Sequence, residues 1–286
     1  MDKVGLTRRM LATGALAGAA LGTMGMPARA ADTLDKLRQQ KKINVAVPDN
    51  PPYSGITPDG TVTGLAPTLV KTIMGRLGVP EVQGVVVPYG ELIPGLQAGR
   101  WDIIAACMTI TKERCRAVAY ADPIVSEGGC FMYIPDDLPN PPHSVAEIAK
   151  MGLTLVTGQG AYTVQRAMSL GVPSSKIIQT PDIAATISML ETKRAQISYD
   201  TYYGVLAELK QRPAKFKVIY PLPDDLPRGS APAFRPTDAT FRDAFQTELR
   251  AMKKSGEFQK MAESFGFPPV GQLLDVTAEQ ECARVS

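Results

Sequence analysis

Histidine is almost missing: the 286 residues contain one, His143, in a proline-rich stretch. That leaves no material for a Ser-His-Asp or Cys-His nucleophile, a Cys/His zinc cluster or an H-E-x-x-H helix, and no nucleophile elbow is present. An enzyme of this composition would have to work with carboxylates alone, so catalysis is not expected and neither a metal nor a cofactor is called for. Charge of one sign is also missing. Residues 1–30 hold four bases and one acid of the chain's 31 and 28, so the remainder carries 27 of each. The basic balance belongs to the N-terminus and gives no support for nucleic-acid or anionic-membrane binding. Beyond that N-terminus no apolar run is long enough to span a bilayer.

The N-terminus has a composition of its own. Thr7-Arg8-Arg9-Met10-Leu11 leads into an uncharged stretch rich in Ala, Gly, Leu and Met, followed by Pro27-Ala28-Arg29-Ala30. This reads as an export signal, residues 1–30, cleaved near Ala30. The arginine pair resembles a twin-arginine signal, and a general secretory signal is the alternative. The roughly 250 residues that follow are enough for two lobes. Their four cysteines, Cys107, Cys115, Cys130 and Cys282, suit an oxidising compartment and allow three pairings, Cys115–Cys282 with Cys107–Cys130 among them. Small buried free thiols are the other reading.

Strand-like and helix-like segments alternate, which implies parallel βαβ units. Ile43–Val47 reads as a strand stopped by Pro48-Asp49-Asn50-Pro51-Pro52-Tyr53. Leu65–Leu77 has helical spacing and closes at Gly78. Val82–Val87 is a strand, Tyr89–Ala98 a helix, and Asp102–Met108 a third strand. After Pro135–Pro142 the pattern resumes. Leu153–Val156 is a strand followed by Thr157-Gly-Gln-Gly160 and a helix; Lys176–Gln179 is a strand before the helix Ile183–Leu190. Gln196–Tyr199 ends at Asp200, before another helix, and Val218–Tyr220 is one more strand. Pro221–Pro236, rich in Pro and Gly, leads to an amphipathic helix, Thr240–Lys254. Connections near 126–129 and 229–233 would make two lobes with a ligand cleft between them.

One segment is out of character. In Cys107-Met-Thr-Ile-Thr-Lys-Glu-Arg-Cys115, Thr111 reads as an N-cap, yet Arg114 stands where a capping box has Glu or Gln. A cation in the first turn meets the positive end of the helix dipole and asks for an anion. A ligand carboxylate would serve, since guanidinium binds one bidentately; a surface pair with Glu113 or Asp122 is the alternative. Asp200 is either an N-cap or a cation-binding counterpart. The glycines of 157–160 would free N–H groups for a ligand oxygen, or simply make an ordinary strand–helix turn. Tyr53, Tyr89 and Tyr162 follow strand ends, where a ring would pack on an alkyl or cationic ligand or simply fill a core edge.

The runs "GLQAGRWDIIAACMTITKERCRAVAYADP", "ISYDTYYGVLAELK" and "TFRDAFQTELRAMKKSGEFQKMAESFGF" resemble the family 3 periplasmic solute-binding proteins of ABC importers, over nearly the whole exported chain. The pattern around Ile93–Arg100, Glu113–Ala119 and the late Cys is most similar to the ectoine/hydroxyectoine-binding branch. The resemblance implies an α/β, two-lobed periplasmic-binding-protein fold of type II with two hinge crossings. Lobe 1 would be 31–128 plus 232–286, and lobe 2 would be 129–231. It implies a periplasmic, monomeric protein that passes a zwitterionic ligand to a membrane permease. Arg114, with Thr109 and Thr111 and beside Met108, would hold the ligand carboxylate, and Asp200 the α-ammonium. Gln159 and Gly160 would add contacts, and Asn50, Tyr53 and Tyr89 would line the side-chain pocket. The ectoine branch tends to have an acid at position 50, Phe at 109 and no Asp at 200, so the site reads as one for an α-amino acid or a close derivative. An ectoine binder and an enzyme of cyclohexadienyl-dehydratase type, with Asp200 or Glu127 as acid, are the alternatives.

Overall fold

The computed structural model describes residues 32–210 and 215–285; the expected export signal lies outside them. In chain order the first elements are α1 (Thr33–Gln40), β1 (Lys42–Val47), β2 (Gly55–Ile56), β3 (Val62–Thr63), α2 (Leu65–Arg76) and β4 (Glu81–Val86). Next come α3 (Leu92–Gln97), β5 (Ile103–Thr109), α4 (Lys112–Ala117), β6 (Ala119–Tyr120), β7 (Val125–Glu127) and β8 (Gly129–Tyr133). They are followed by α5 (Val145–Met151), β9 (Leu155–Gly158), α6 (Tyr162–Ser169), β10 (Ile177–Thr180), α7 (Ile183–Glu191), β11 (Ile197–Thr201) and α8 (Tyr202–Leu209). The chain finishes with β12 (Lys217–Ile219), β13 (Arg228–Phe234), α9 (Ala239–Ser255), α10 (Glu257–Ser264) and α11 (Ala278–Arg284). Among the described residues no helix is long and apolar enough to cross a membrane.

Two mixed sheets carry the fold. The first has the order β4-β1-β5-β13-β6, with β7 paired to β13; the second has the order β10-β9-β11-β8-β12. Strands β4, β1 and β5 run parallel, as do β10, β9 and β11, while β13 and β8 are antiparallel to their neighbours. Every residue of β5 is buried, as a parallel strand covered on both faces requires. Strand β13 corrects the expectation of a loose connection at 229–233. Its Gly and Pro content hides a strand buried from Gly229 to Phe234. Pro232 is accommodated because the register to β5 shifts between Ala231 and Ala233, the kind of irregularity that tolerates a missing N–H. All of β13 pairs within the first sheet, starting with Arg228 opposite Glu127.

The tail returns to the first sheet, as expected. Phe241, Phe245 and Leu249 of α9 are fully buried in the core of that sheet, with Phe234 of β13 5.1 Å and 5.3 Å from Phe241 and Phe245. Beyond α10, the C-terminal segment is bound at several points. The Ala278 N–H donates to Asp122, the Gly229 N–H to Glu281, and the buried Lys253 ammonium donates to the carbonyls of Pro123 and Leu273, each at 2.8 Å. Cys115 of α4 is disulfide-bonded to Cys282 of α11. Cys107 and Cys130 are buried free thiols, so the second bridge of that pairing does not form.

The bridge closes a loop of 167 residues. Cross-links of such span restrict the unfolded chain by up to about 5 kcal/mol in the chain-entropy account. Cys282→Ser is expected to lower unfolding free energy in urea by about 2–5 kcal/mol, and the loss should disappear when both proteins are compared in reductant.

Candidate functional site

The carboxyl ends of the parallel strands of both sheets converge on one cavity of about 340 Å³, at the small end of the ~300–1,000 Å³ usual for small-molecule sites. The first sheet contributes the segment after β1 (Pro48, Asp49, Asn50, Tyr53), the segment after β4 (Val87–Tyr89), and Cys107 and Thr109 of β5. The second contributes Gly158, Gln159, Ala161, Tyr162 and Thr163 after β9, Pro181–Ile183 after β10, and Asp200 and Thr201 of β11. Val86, Glu127, Thr186, Gly204 and Val205 complete the wall. Among the described residues no group of three or more His, Cys, Asp or Glu is placed to hold a metal ion.

Of the sequence-predicted residues, Asn50, Tyr53, Tyr89, Thr109, Gln159 and Asp200 line this cavity, whereas Met108, Thr111, Arg114 and Gly160 do not. The two-residue period of β5 explains Met108: with Cys107 and Thr109 on the cavity face, Met108 takes the opposite one. Thr111 is the N-cap of α4, its Oγ1 accepting the Arg114 N–H at 3.3 Å. Asp200 is no N-cap. It lies within β11 and Thr201 precedes α8.

Arg114 sits directly behind the wall. Its guanidinium donates to the Thr109 carbonyl at 2.8 Å and to the Gly160 carbonyl at 2.9 Å, and lies 5.5 Å from the centre of the Tyr89 ring. Its partners are thus carbonyl dipoles, the Tyr89 ring and the hydroxyls of Tyr89 and Tyr120; Asp122, one candidate partner, pairs with Arg250 instead. The turn at 157–160 also differs from the expected N–H cradle. Gly158 N–H donates to Asp200 Oδ1 at 3.2 Å, and the Gln159 and Ala161 N–H groups donate to the carbonyls of Thr180 and Gly158. Gly160 is glycine for another reason: it has φ +74°, and a Cβ there would stand 2.8 Å from Gly90 Cα. The glycine lets segments from the two sheets touch.

Sequence reasoning left Glu127 out of the binding set and considered it only as a catalytic acid. It is buried, with Oε2 accepting the Tyr53 hydroxyl at 2.7 Å and the Tyr203 N–H at 3.0 Å. The Tyr53 oxygen in turn accepts the Gly204 N–H at 3.0 Å. Burial pushes the Glu127 carboxyl up to about 7 against the lowering effect of its donors. Asp200 is raised to about 6, again by burial, opposed by the Gly158 N–H. Its Oδ2 is buried without a hydrogen-bond partner. Burial also raises the Tyr53 phenol and the Cys107 thiol well above their ordinary values, so both are neutral. The signal for Glu127 was its place just before Gly128-Gly129 at a proposed crossing, but which strand it closed depended on β13.

A carboxyl raised on folding binds its proton more tightly in the folded state. Its favourable contribution is complete below the unfolded value of 4.5 and is lost as pH climbs through about 7. The loss is at most about 3.5 kcal/mol, from about 1.4 kcal/mol per pKa unit. Glu127→Gln should therefore gain stability relative to the parent as pH rises from 5 to 8 in urea titrations. A difference that does not vary with pH would remove this account.

Residues 43–268 match the model of bacterial extracellular solute-binding proteins, family 3. The probable amino-acid ABC transporter periplasmic-binding protein y4tE of Sinorhizobium fredii is 31% identical over 262 residues, covering 88% of this chain and 86% of that protein. The crystal structure of EhuB in complex with hydroxyectoine superposes with TM-score 0.83 at 32% identity, over 87% of this chain and 97% of that one. An ancestral amino acid-binding protein, AncCDT-1, described as a precursor of cyclohexadienyl dehydratase, gives TM-score 0.73 at 25% identity over 82% and 99%. The two-sheet architecture is that of the type II periplasmic-binding proteins, and the chain belongs to the bacterial extracellular solute-binding proteins of family 3.

Proposed function

We propose that this protein captures an amino acid or amino-acid-like zwitterion between its two lobes and delivers it to the membrane permease of an ABC importer. The observation that carries the reading is the placement of opposite charges about one cavity. Asp200 brings a buried, unpartnered carboxylate oxygen to one wall, and Arg114 stands behind Thr109 at another. Asp200 would take the ammonium and Arg114 the carboxylate, with Thr109, Gln159, Asn50, Tyr53 and Tyr89 around them. The lobes divide as residues 31–128 with the chain after the second crossing, and the intervening segment from 129. Because β13 pairs with the first sheet from Arg228 onward, we place that second crossing before Arg228. The protein acts as a monomer in the periplasm after removal of residues 1–30.

The likeness to EhuB favours a second ligand class, the ectoines, which are also compact zwitterions of amidine and carboxylate. The likeness to AncCDT-1, together with two raised carboxyls in one cavity, raises the question of catalysis. Burial without a counter-cation accounts for both raised values, so we propose binding without turnover; prephenate and arogenate should remain unchanged on incubation with the protein.

A thermal-shift screen of amino acids, ectoines and betaines should single out a ligand by a raised melting temperature. Calorimetry with that ligand should then show Arg114→Ala weakening binding on the order of 100-fold, since charge-assisted hydrogen bonds contribute roughly 1.5–3 kcal/mol each. Unchanged affinity would defeat the carboxylate assignment.

A further inference from the structure

The side chains lining the cavity carry one sign of charge. Its ionisable members, apart from the neutral tyrosines and Cys107, are Asp49, Glu127, Asp182 and Asp200; no Lys, Arg or His lines it. Asp49 and Asp182 are exposed, and Asp182 is already engaged as the N-cap of α7 through the Ala185 N–H at 2.7 Å. Glu127 is different. It is 5% exposed and takes hydrogen bonds from a phenol and a backbone amide, yet no positive charge is among the groups that act on it. Asp200 and Glu127 both line the cavity, and both act on the thiol of Cys130, which pairs with Asp200 across β8 and β11. Two carboxylates therefore meet at one cavity, and an α-ammonium answers only one of them.

We infer that Glu127 is a second ligand-facing carboxylate, and that the site selects an amino acid whose side chain ends in a cation, an ammonium or guanidinium. A buried carboxylate is stable when it is paired and hydrogen-bonded; here the hydrogen bonds are built in and the cation comes with the ligand. Tyr53 and Tyr89 provide ring surface for the alkyl part of such a side chain. Tyr53, which donates to Glu127, holds that carboxylate at the cavity wall. A ligand with a neutral end would leave Glu127 without a counter-charge, and one with an acidic end would add a third carboxylate to the pair. The inference rests on the zwitterion site proposed above and specifies its distal end.

The test pairs each cationic ligand with a neutral analogue of similar shape: L-arginine with L-citrulline, and L-lysine with L-norleucine, by calorimetry on the purified protein. The expected result is arginine or lysine binding at least about tenfold more tightly than its analogue. Glu127→Gln, which keeps an acceptor for Tyr203 N–H, should reduce that ratio to within about threefold, and a cooperative urea unfolding transition of the variant shows it to be folded. Neutral analogues or glutamine binding the parent as tightly as arginine and lysine would overturn the inference while leaving the zwitterion site standing. Selectivity for the cation that survives in Glu127→Gln would overturn the role of Glu127. Binding of none of these amino acids would overturn the inference alone, and the zwitterion site would then be judged by the thermal-shift screen. The comparison on the parent protein needs no variant to decide the first point.

Discussion

The Tyr53 hydroxyl is the point on which the cavity is built. It donates to Glu127 at the end of β7 and accepts from the Gly204 N–H in the first turn of α8. One oxygen thus joins the loop after β1, the strand that leads out of the first sheet, and a helix that follows the second sheet's β11. The contact depends on glycine at 204, where a Cβ would already stand 3.2 Å from the Tyr53 ring and from Thr201 Oγ1. It also depends on a proton staying on Tyr53, which burial and the neighbouring carboxylate ensure. Gly160 against Gly90 is a second close approach between segments of the two sheets. Small residues and one shared hydroxyl hold together surfaces that each bring half of a binding site.

A second set of contacts holds the first sheet's side in place. Asp122, just after β6, accepts from the backbone of Ala278 and pairs with Arg250 of α9. Glu281 of α11 accepts the Gly229 N–H at the start of β13. Cys282 is bonded to Cys115, one residue after Arg114. The C-terminal helix therefore grips both the strand that re-enters the first sheet and the short helix that carries Arg114. Six residues of α4 would be a marginal helix alone. The Thr111 cap and the disulfide at its other turn supply what its length cannot, and Arg114 is positioned by that scaffold.

How much of this was legible depended on the range of the interaction. Local chemistry was: Thr111 caps a helix, Gly78 follows α2 with φ +87°, and α9 buries its phenylalanines. The parallel strands were visible as short apolar or alternating segments between helices. Elements whose pairing is distant in sequence were not. Strand β13 looked like a connector because its Gly and Pro are acceptable only beside a register shift that β5 provides. Strand β8 starts with glycine, where a Cβ would collide with the Tyr199 ring at 2.2 Å; its strand character comes from β11 and β12. Within the cavity, Asn50, Tyr53, Tyr89 and Asp200 were named from sequence, whereas Glu127 at the end of β7 was left out of the binding set. The glycines of 157–160 could not be assigned correctly, because Gly90 lies far away in the chain and the N–H groups turn inward.

Arg114 shows why a residue can break a local rule and still be well placed. A guanidinium in the first turn of a helix opposes the helix dipole, yet here it extends away from that turn to carbonyl oxygens on two segments, Thr109 and Gly160. Carbonyl oxygens carry partial negative charge but no net charge, so Arg114 retains a full unit of positive charge behind a cavity otherwise lined with acids. Guanidinium has five N–H groups in a plane; the two carbonyls take two of them, and the hydroxyls of Tyr89 and Tyr120 also act on it. The same arginine ties segments of the two sheets together behind a cavity whose own ionisable side chains, Asp200 and Glu127 among them, are acidic.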